Sequence, residues 1–224
     1  MAGAAASFAR LGAALLAGLL LSACGNGEPQ GGATESPGHF YVLSVSWSPS
    51  YCAAEGPSAD RRQCDARPAF GYVVHGLWPQ FEEGWPEFCD PGADEWVPDG
   101  IVAGMLDIMP SPGLIGHQWR KHGSCSGLSQ EDYFRLTRAA FERIALPAPD
   151  SVRVRPDDFS RSVAAANEGL GEDAFAVTCD AEYLREIRVC MEEDLSFRPC
   201  PEVAARSCAL PEARMPPVPR QSSP

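Results

Sequence analysis

HQWRKHGSC, residues 117–125, places two histidines, an amide, an arginine and a lysine within six consecutive positions. On a helix, where each residue advances about 100°, His117, Gln118, Lys121 and His122 share an arc of about 140°, while Trp119 and Arg120 point elsewhere. Such a face can be merely solvated, and a lone histidine most often serves packing or the surface. Yet the chain has only four histidines, and two stand here. A third, His75, sits in the apolar run VVHGLWPQ, where an unpartnered polar ring is costly. Paired histidines suit acid and base catalysis near neutrality, one ring neutral while the other is protonated. A lysine beside them suits a phosphoryl group that gains charge in the transition state. The combination favours transfer at phosphorus.

Those residues need elements to hold them. HFYVLSVSWSPS, from residue 39, predicts a strand in which Tyr41, Leu43, Val45 and Trp47 alternate with small or polar residues until Pro49. FGYVVHGLWP, from 70, predicts a second strand closed by proline. PDGIVAGMLDIMPS, from 98, predicts a helix opened by Asp99 and halted by Pro110, and LIGHQWRKHG a shorter one stopped by Gly123. SQEDYFRLTRAAFERIAL predicts the longest helix, capped by Ser129 with Asp132 three residues on. AFAVTC and LREIRVC read as strands, with LSFRPC a candidate third. Without regular βαβ alternation, this mixture argues α+β: a single domain with a central, mostly antiparallel sheet flanked by helices and stapled by four disulfides.

The 224 residues carry Lys+Arg 18 against Asp+Glu 30, a formal net charge of -12. That balance excludes broad attraction to nucleic acid or anionic lipid, so any anionic partner must be held locally. Arg10 precedes the apolar run LGAALLAGLLL and then LSAC at 21–24. The run is too short to span a bilayer and reads as a secretory signal, with LSAC resembling a bacterial lipobox cut before an acylated Cys24. The expected organisation is a lipoprotein signal peptide over 1–23, a flexible tether over 24–38, the folded domain over 39–210 and a disordered proline-rich tail over 211–224. The membrane is then met only through the lipid anchor, on a periplasmic or cell-envelope monomer. Setting Cys24 aside leaves eight cysteines, which in an oxidising compartment read as a disulfide framework with about 105 connectivities. No CxxC pair occurs, which argues against zinc.

HGLWPQ and HQWRKHGSC together resemble the two active-site segments of the ribonuclease T2 family, including its bacterial ribonuclease I-like members. WSPSYC at 47–52 and EIRVC at 186–190 extend the similarity over residues 39–208. The resemblance implies cleavage of RNA without metal or other cofactor, the ribose 2′-hydroxyl attacking the adjacent phosphorus to leave a 2′,3′-cyclic phosphate. It implies His122 as general base, His75 as general acid, Lys121 as the cation steadying the phosphorane and His117 as a phosphate-holding residue. Where the family usually has a carboxylate after the first histidine of the second segment, this chain has Gln118. An amide can still hydrogen-bond a phosphoryl oxygen, so activity is expected to survive. Trp78 matches a base-stacking tryptophan, the alternative being an ordinary core residue. Gln80 stands where many members have an acidic base-reading residue, which predicts weak base specificity. Phe81, Trp85 and Phe88 are equal candidates for a second stacking partner. The resemblance also implies the pairs Cys89–Cys125, Cys52–Cys64, Cys179–Cys208 and Cys190–Cys200.

Three other readings compete. His75, His117 and His122 as metal ligands would make a metal hydrolase, but HQWRKH is not HExxH and no carboxylate cluster accompanies it. Cys125 beside His122 would make a cysteine hydrolase, which disulfide formation in an exported chain opposes. A catalytically weak or inactive binding lipoprotein on the same fold is the remaining alternative.

Overall fold

The computed structural model describes residues 39–90 and 94–219; the expected signal peptide, the tether and Cys24 lie outside the described residues. In chain order the elements are β1 (Phe40–Trp47), α1 (Ser48–Glu55), α2 (Arg61–Cys64), β2 (Tyr72–Gln80), α3 (Asp99–Ala103), α4 (Pro112–Lys121), α5 (Gln130–Arg143), β3 (Arg153–Val154), α6 (Pro156–Ala166), β4 (Phe175–Cys179), β5 (Leu184–Met191), α7 (Pro201–Ala204) and β6 (Ala213–Arg214). Four strands form an antiparallel sheet in the order β2-β1-β5-β4. This is the α+β domain expected, and all four disulfide pairs implied by the family resemblance are present.

β1 is buried on both faces: of the residues that alternate with the Tyr41-to-Trp47 set, Phe40 and Val42 are apolar and buried rather than small or polar. Tyr41, Leu43, Val45 and Trp47 enter the main core with Leu77, Ile115, Trp119, Tyr133, Phe134 and Ile187. Phe40 and Val42 turn to a smaller cluster with Ala176, Cys190, Cys200 and Val203, against which Trp78 is packed. Each such aliphatic side chain withdrawn from water contributes about 1.5–3 kcal/mol. α5 lies against β1 and β2, α6 against β4, and α4 against β2. The Tyr133 hydroxyl of α5 donates to the Leu77 carbonyl at 2.7 Å, pinning β2 from the core side.

The structure departs from the sequence reading in five places. α3 is only five residues long and begins after Pro98, because the chain leaves the helix to let the Ile108 carbonyl accept from the Val74 amide on β2, at 2.8 Å. β2 continues through Pro79 to Gln80; as an edge strand it tolerates a residue without an amide hydrogen. LSFRPC makes no strand: Phe197 has a single bridge to Met191 before the turn into α7. The tail expected to be disordered from 211 belongs to the fold as far as it is described. β6 pairs with β3, Met215 is wholly buried, and the Trp47 indole donates to the Pro216 carbonyl at 2.7 Å. A buried methionine and a satisfied indole outweigh proline-rich composition here. α6 was not anticipated, although Pro156 at its start, Asp157 and Asp158 in its first turn and the spacing of Phe159 and Val163 are ordinary helix signals.

Candidate active site

His75 owes its position to an irregularity in the sheet. Ser44 opposes Gly76 while Val45 opposes Val74, so His75 is the extra residue of a β-bulge. A bulge resets the alternation of a strand and re-aims one side chain. Val74 and Leu77 can therefore both face the core, while His75 and Trp78, three residues apart, both line one pocket. Regular pleating would place residues 75 and 78 on opposite faces.

The His75 Nδ1 lies 2.6 Å from Glu186 Oε1 on β5. Arg188 donates to the other carboxylate oxygen from Nε at 3.0 Å and from a terminal nitrogen at 2.8 Å, and the Ser46 hydroxyl donates to Oε1 at 3.4 Å. Burial by itself would raise the Glu186 pKa, but the hydrogen bond and charge of His75 and the charge of Arg188 bring it down to about 2. Glu186 is thus an ionised, acceptor-only partner for the ring.

The second set of groups comes from α4. Ser111 caps this helix, its hydroxyl accepting from the Leu114 amide, with Pro112 in the first turn. Ile115 and Trp119 bury one face; His117, Gln118 and Lys121 reach the pocket from the other, joined by His122 at the C-cap. The chain can turn there because Gly123 has no side chain: a Cβ would lie 2.4 Å from Trp119 and 3.0 Å from Tyr133. The Cys89–Cys125 bridge and a bond from the Phe88 amide to the Lys121 carbonyl, 2.9 Å, fasten the segment after β2 to this helix end.

His122 is 6% exposed, and its Nδ1 has no hydrogen-bond partner among the described residues. Burial, then the charge of Lys121, lowers its pKa from 6.5 to about 3, so the ring is neutral in ordinary buffers. His117 is lowered too, by burial first and then by Lys121 and Arg120. The Lys121 ammonium sits 3.0 Å from Glu87 Oε1, which also accepts from the Trp85 indole at 2.9 Å. Those two bonds, Trp85's first, hold the Glu87 carboxyl below its usual range.

Trp78 stands between the two halves. Its ring centroid is 5.3 Å from that of His75, edge-on, and 5.3 Å from that of His122, tilted by 30°. The Arg188 guanidinium lies 5.2 Å over its face. The Trp78 indole donates to Gln118 Oε1 at 2.8 Å, and Gln118 is 2% exposed. This bond passes directly over Gly76, where a Cβ would come within 2.0 Å of the amide oxygen and 2.4 Å of the indole nitrogen. The glycine of HGLWP is therefore required by close approach.

His75, His117, Gln118, Lys121, His122, Trp78 and Gln80 all line a single pocket of about 220 Å³. Of the three candidate second aromatics, Trp85 lines it and Phe81 and Phe88 do not. Gln80 donates its amide to the Gly84 carbonyl at 2.9 Å, supporting the turn that carries Trp85. Sequence reasoning passed over Glu186, Arg188, Glu87, Glu202 and Arg206. The signal for the first two was present in LREIRVC, where alternation puts both charges on the same face of an inner strand. Among the described residues no group of three or more His, Cys, Asp and Glu side chains is arranged to hold a metal ion. None of the described helices is long and apolar enough to cross a membrane.

Residues 38–200 match the model of the ribonuclease T2 family. The chain is 30% identical over 187 residues to a ribonuclease from Aeromonas hydrophila, an alignment covering 80% of this chain and 84% of that one. It is 35% identical over 125 residues to a probable ribonuclease from Haemophilus influenzae, covering 50% and 46% of the two chains. Among solved structures, the S-like ribonuclease trichomaglin superposes with a TM-score of 0.65 at 21% identity, over 81% of this chain and 99% of that one. The histidines of both segments thus stand in a matched sequence as well as in one pocket, and the chain belongs to the ribonuclease T2 family.

Proposed function

We propose that this protein is a metal-independent endoribonuclease of low base specificity that cuts RNA by transphosphorylation, leaving 2′,3′-cyclic phosphate ends. The observation that carries this reading is the pair of imidazoles on either side of Trp78, one buried and held neutral, the other hydrogen-bonded to a carboxylate, with an ammonium in the same pocket.

His122 removes the proton from the ribose 2′-hydroxyl, and the oxygen attacks the neighbouring phosphorus. Lys121 and His117 meet the phosphoryl oxygens as negative charge builds on them. His75 gives a proton to the 5′-oxygen as the P–O5′ bond breaks, so the first product departs as an alcohol. The substrate's own phosphate offsets the repulsion that Lys121 exerts on a protonated His122, so binding itself makes this ring a better proton acceptor. DNA has no 2′-hydroxyl to start the sequence.

Gln118 acts here by fixing Trp78 through the indole bond, and Trp78 with Trp85 offers aromatic faces that any base can use. Stacking of this kind contributes about 1–3 kcal/mol per base. Four disulfides fit an oxidising compartment, and we assign the protein to the cell envelope as a monomer anchored by acylation of Cys24.

The test is cleavage of a defined RNA and its DNA counterpart in excess EDTA, with the product ends identified. Cleavage of RNA alone, ending in cyclic phosphate, is expected. Activity abolished by the chelator, or DNA cut equally well, would overturn the reading; binding of RNA without cleavage would replace it with the non-catalytic alternative.

A further inference from the structure

We infer that Glu186 is a positioning residue for the transphosphorylation, holding the His75 ring by its Nδ1–H so that Nε2 is the nitrogen presented to the leaving oxygen. The inference rests on the reaction proposed above and concerns a residue outside both histidine segments.

The geometry is a chain of contacts across three strands. His75 sits at a bulge that aims its side chain into the pocket, and the ring's tautomer is left to its hydrogen-bond partner. Glu186 reaches it across β1 at 2.6 Å, from a side chain that is itself only 12% exposed. Arg188 clamps the far carboxylate oxygen with two bonds, and Ser46 approaches the near one. An ionised carboxylate can only accept, so the bond to His75 requires hydrogen on Nδ1 whether the ring is neutral or charged. The proton that moves is then the one on Nε2. It passes to the 5′-oxygen as the bond to phosphorus breaks, and it leaves a neutral ring whose tautomer Glu186 still satisfies. The same carboxylate stands beside the imidazolium before transfer. This is the arrangement by which a buried carboxylate orients a catalytic histidine in other enzymes.

Glu186→Gln separates positioning from structure. Arg188 needs an acceptor, so the new amide turns its oxygen to Arg188 and its NH2 to His75. That demands a bare Nδ1, the wrong tautomer for a proton donor on the other nitrogen. The change is nearly isosteric. Two uridine 3′-phosphodiesters serve as substrates: uridylyl-adenosine, whose alkoxide leaving group needs a proton, and the 4-nitrophenyl ester, whose phenolate does not. We expect kcat for uridylyl-adenosine to fall by about 100-fold, within the usual range for losing a proton-transfer partner, with KM within about twofold. Turnover of the nitrophenyl ester should fall by less than about threefold.

Equal losses on both esters, or no loss on the first, would overturn the inference while the functional reading stands. A wild-type protein that cleaves neither ester removes the functional reading and the inference together. Should the variant not fold, ring ¹⁵N spectra of the wild type decide the point. A neutral His75 protonated at Nδ1 is expected, and one protonated at Nε2 contradicts the assignment.

Discussion

Burial and the adjoining Lys121 ammonium set His122 near pKa 3, against 6.5 for a free ring. The neutral ring that its proposed role as proton acceptor needs and its cost to the fold have the same origin. Between pH 6.5 and 3 the unfolded chain binds a proton that the native ring refuses, so native stability falls as the pH is lowered through that window. Glu186 acts in the same direction lower down: its folded value of about 2 lies under the ordinary 4.5, so its contribution is present above pH 4.5 and is lost toward pH 2. Urea midpoints should therefore decline from pH 7 to 4, and His122→Asn should flatten the curve between 6.5 and 3; an unchanged slope would show that the ring titrates normally. Gly76→Ala should destabilise the protein by about 1–3 kcal/mol and reduce activity, because the methyl group displaces the Trp78–Gln118 bond. Thermal melting with an RNA assay checks both effects. The catalytic candidates were legible because histidine is scarce and clustered in this chain. Their carboxylate partners were legible only in part: alternation in LREIRVC puts Glu186 and Arg188 on one face of a strand, but nothing in the sequence joins that face to a histidine 111 positions away.

Two small features of the elements decide how the halves of the pocket meet: the bulge at His75 and the glycine-terminated end of α4. The longest helix and the inner strands follow from apolar spacing and the Ser129 cap, and the structure has them where that spacing puts them. The bulge has no such periodic signature, because one inserted residue leaves the apolar run VVHGLWP reading as a simple strand. The last strand was hidden for a related reason: two residues and a methionine among prolines are too short a pattern to outweigh composition, and only the pairing with β3 discloses them. The Cys89–Cys125 bridge is the covalent counterpart of this arrangement. Cys125→Ser should cost about 2–4 kcal/mol of stability and, by loosening the segment after β2 from the end of α4, should also lower kcat at temperatures where the variant remains folded. A variant with full turnover at low temperature would show that the bridge serves stability alone.

At the scale of the whole molecule, a net charge of -12 must coexist with a polyanionic substrate. The pocket answers this by holding its cations in carboxylate pairs: Lys121 with Glu87, Arg188 with Glu186, and Arg206 with Glu202. Phosphate entering such a site exchanges with an internal carboxylate and releases few bound counterions, so the salt dependence of kcat/KM should be shallow and cleavage distributive. A titration from 50 to 200 mM salt whose slope implies six or more phosphate contacts would contradict this. The most direct test of the central claim is ³¹P NMR of a dinucleoside monophosphate incubated with the protein in excess EDTA, alongside His75→Ala and His122→Ala. The wild type should build up a 2′,3′-cyclic phosphate, and each variant should slow its appearance by about 100-fold or more, the scale of a lost general acid or base. A linear phosphate as first product, or either variant keeping the wild-type rate, would contradict it.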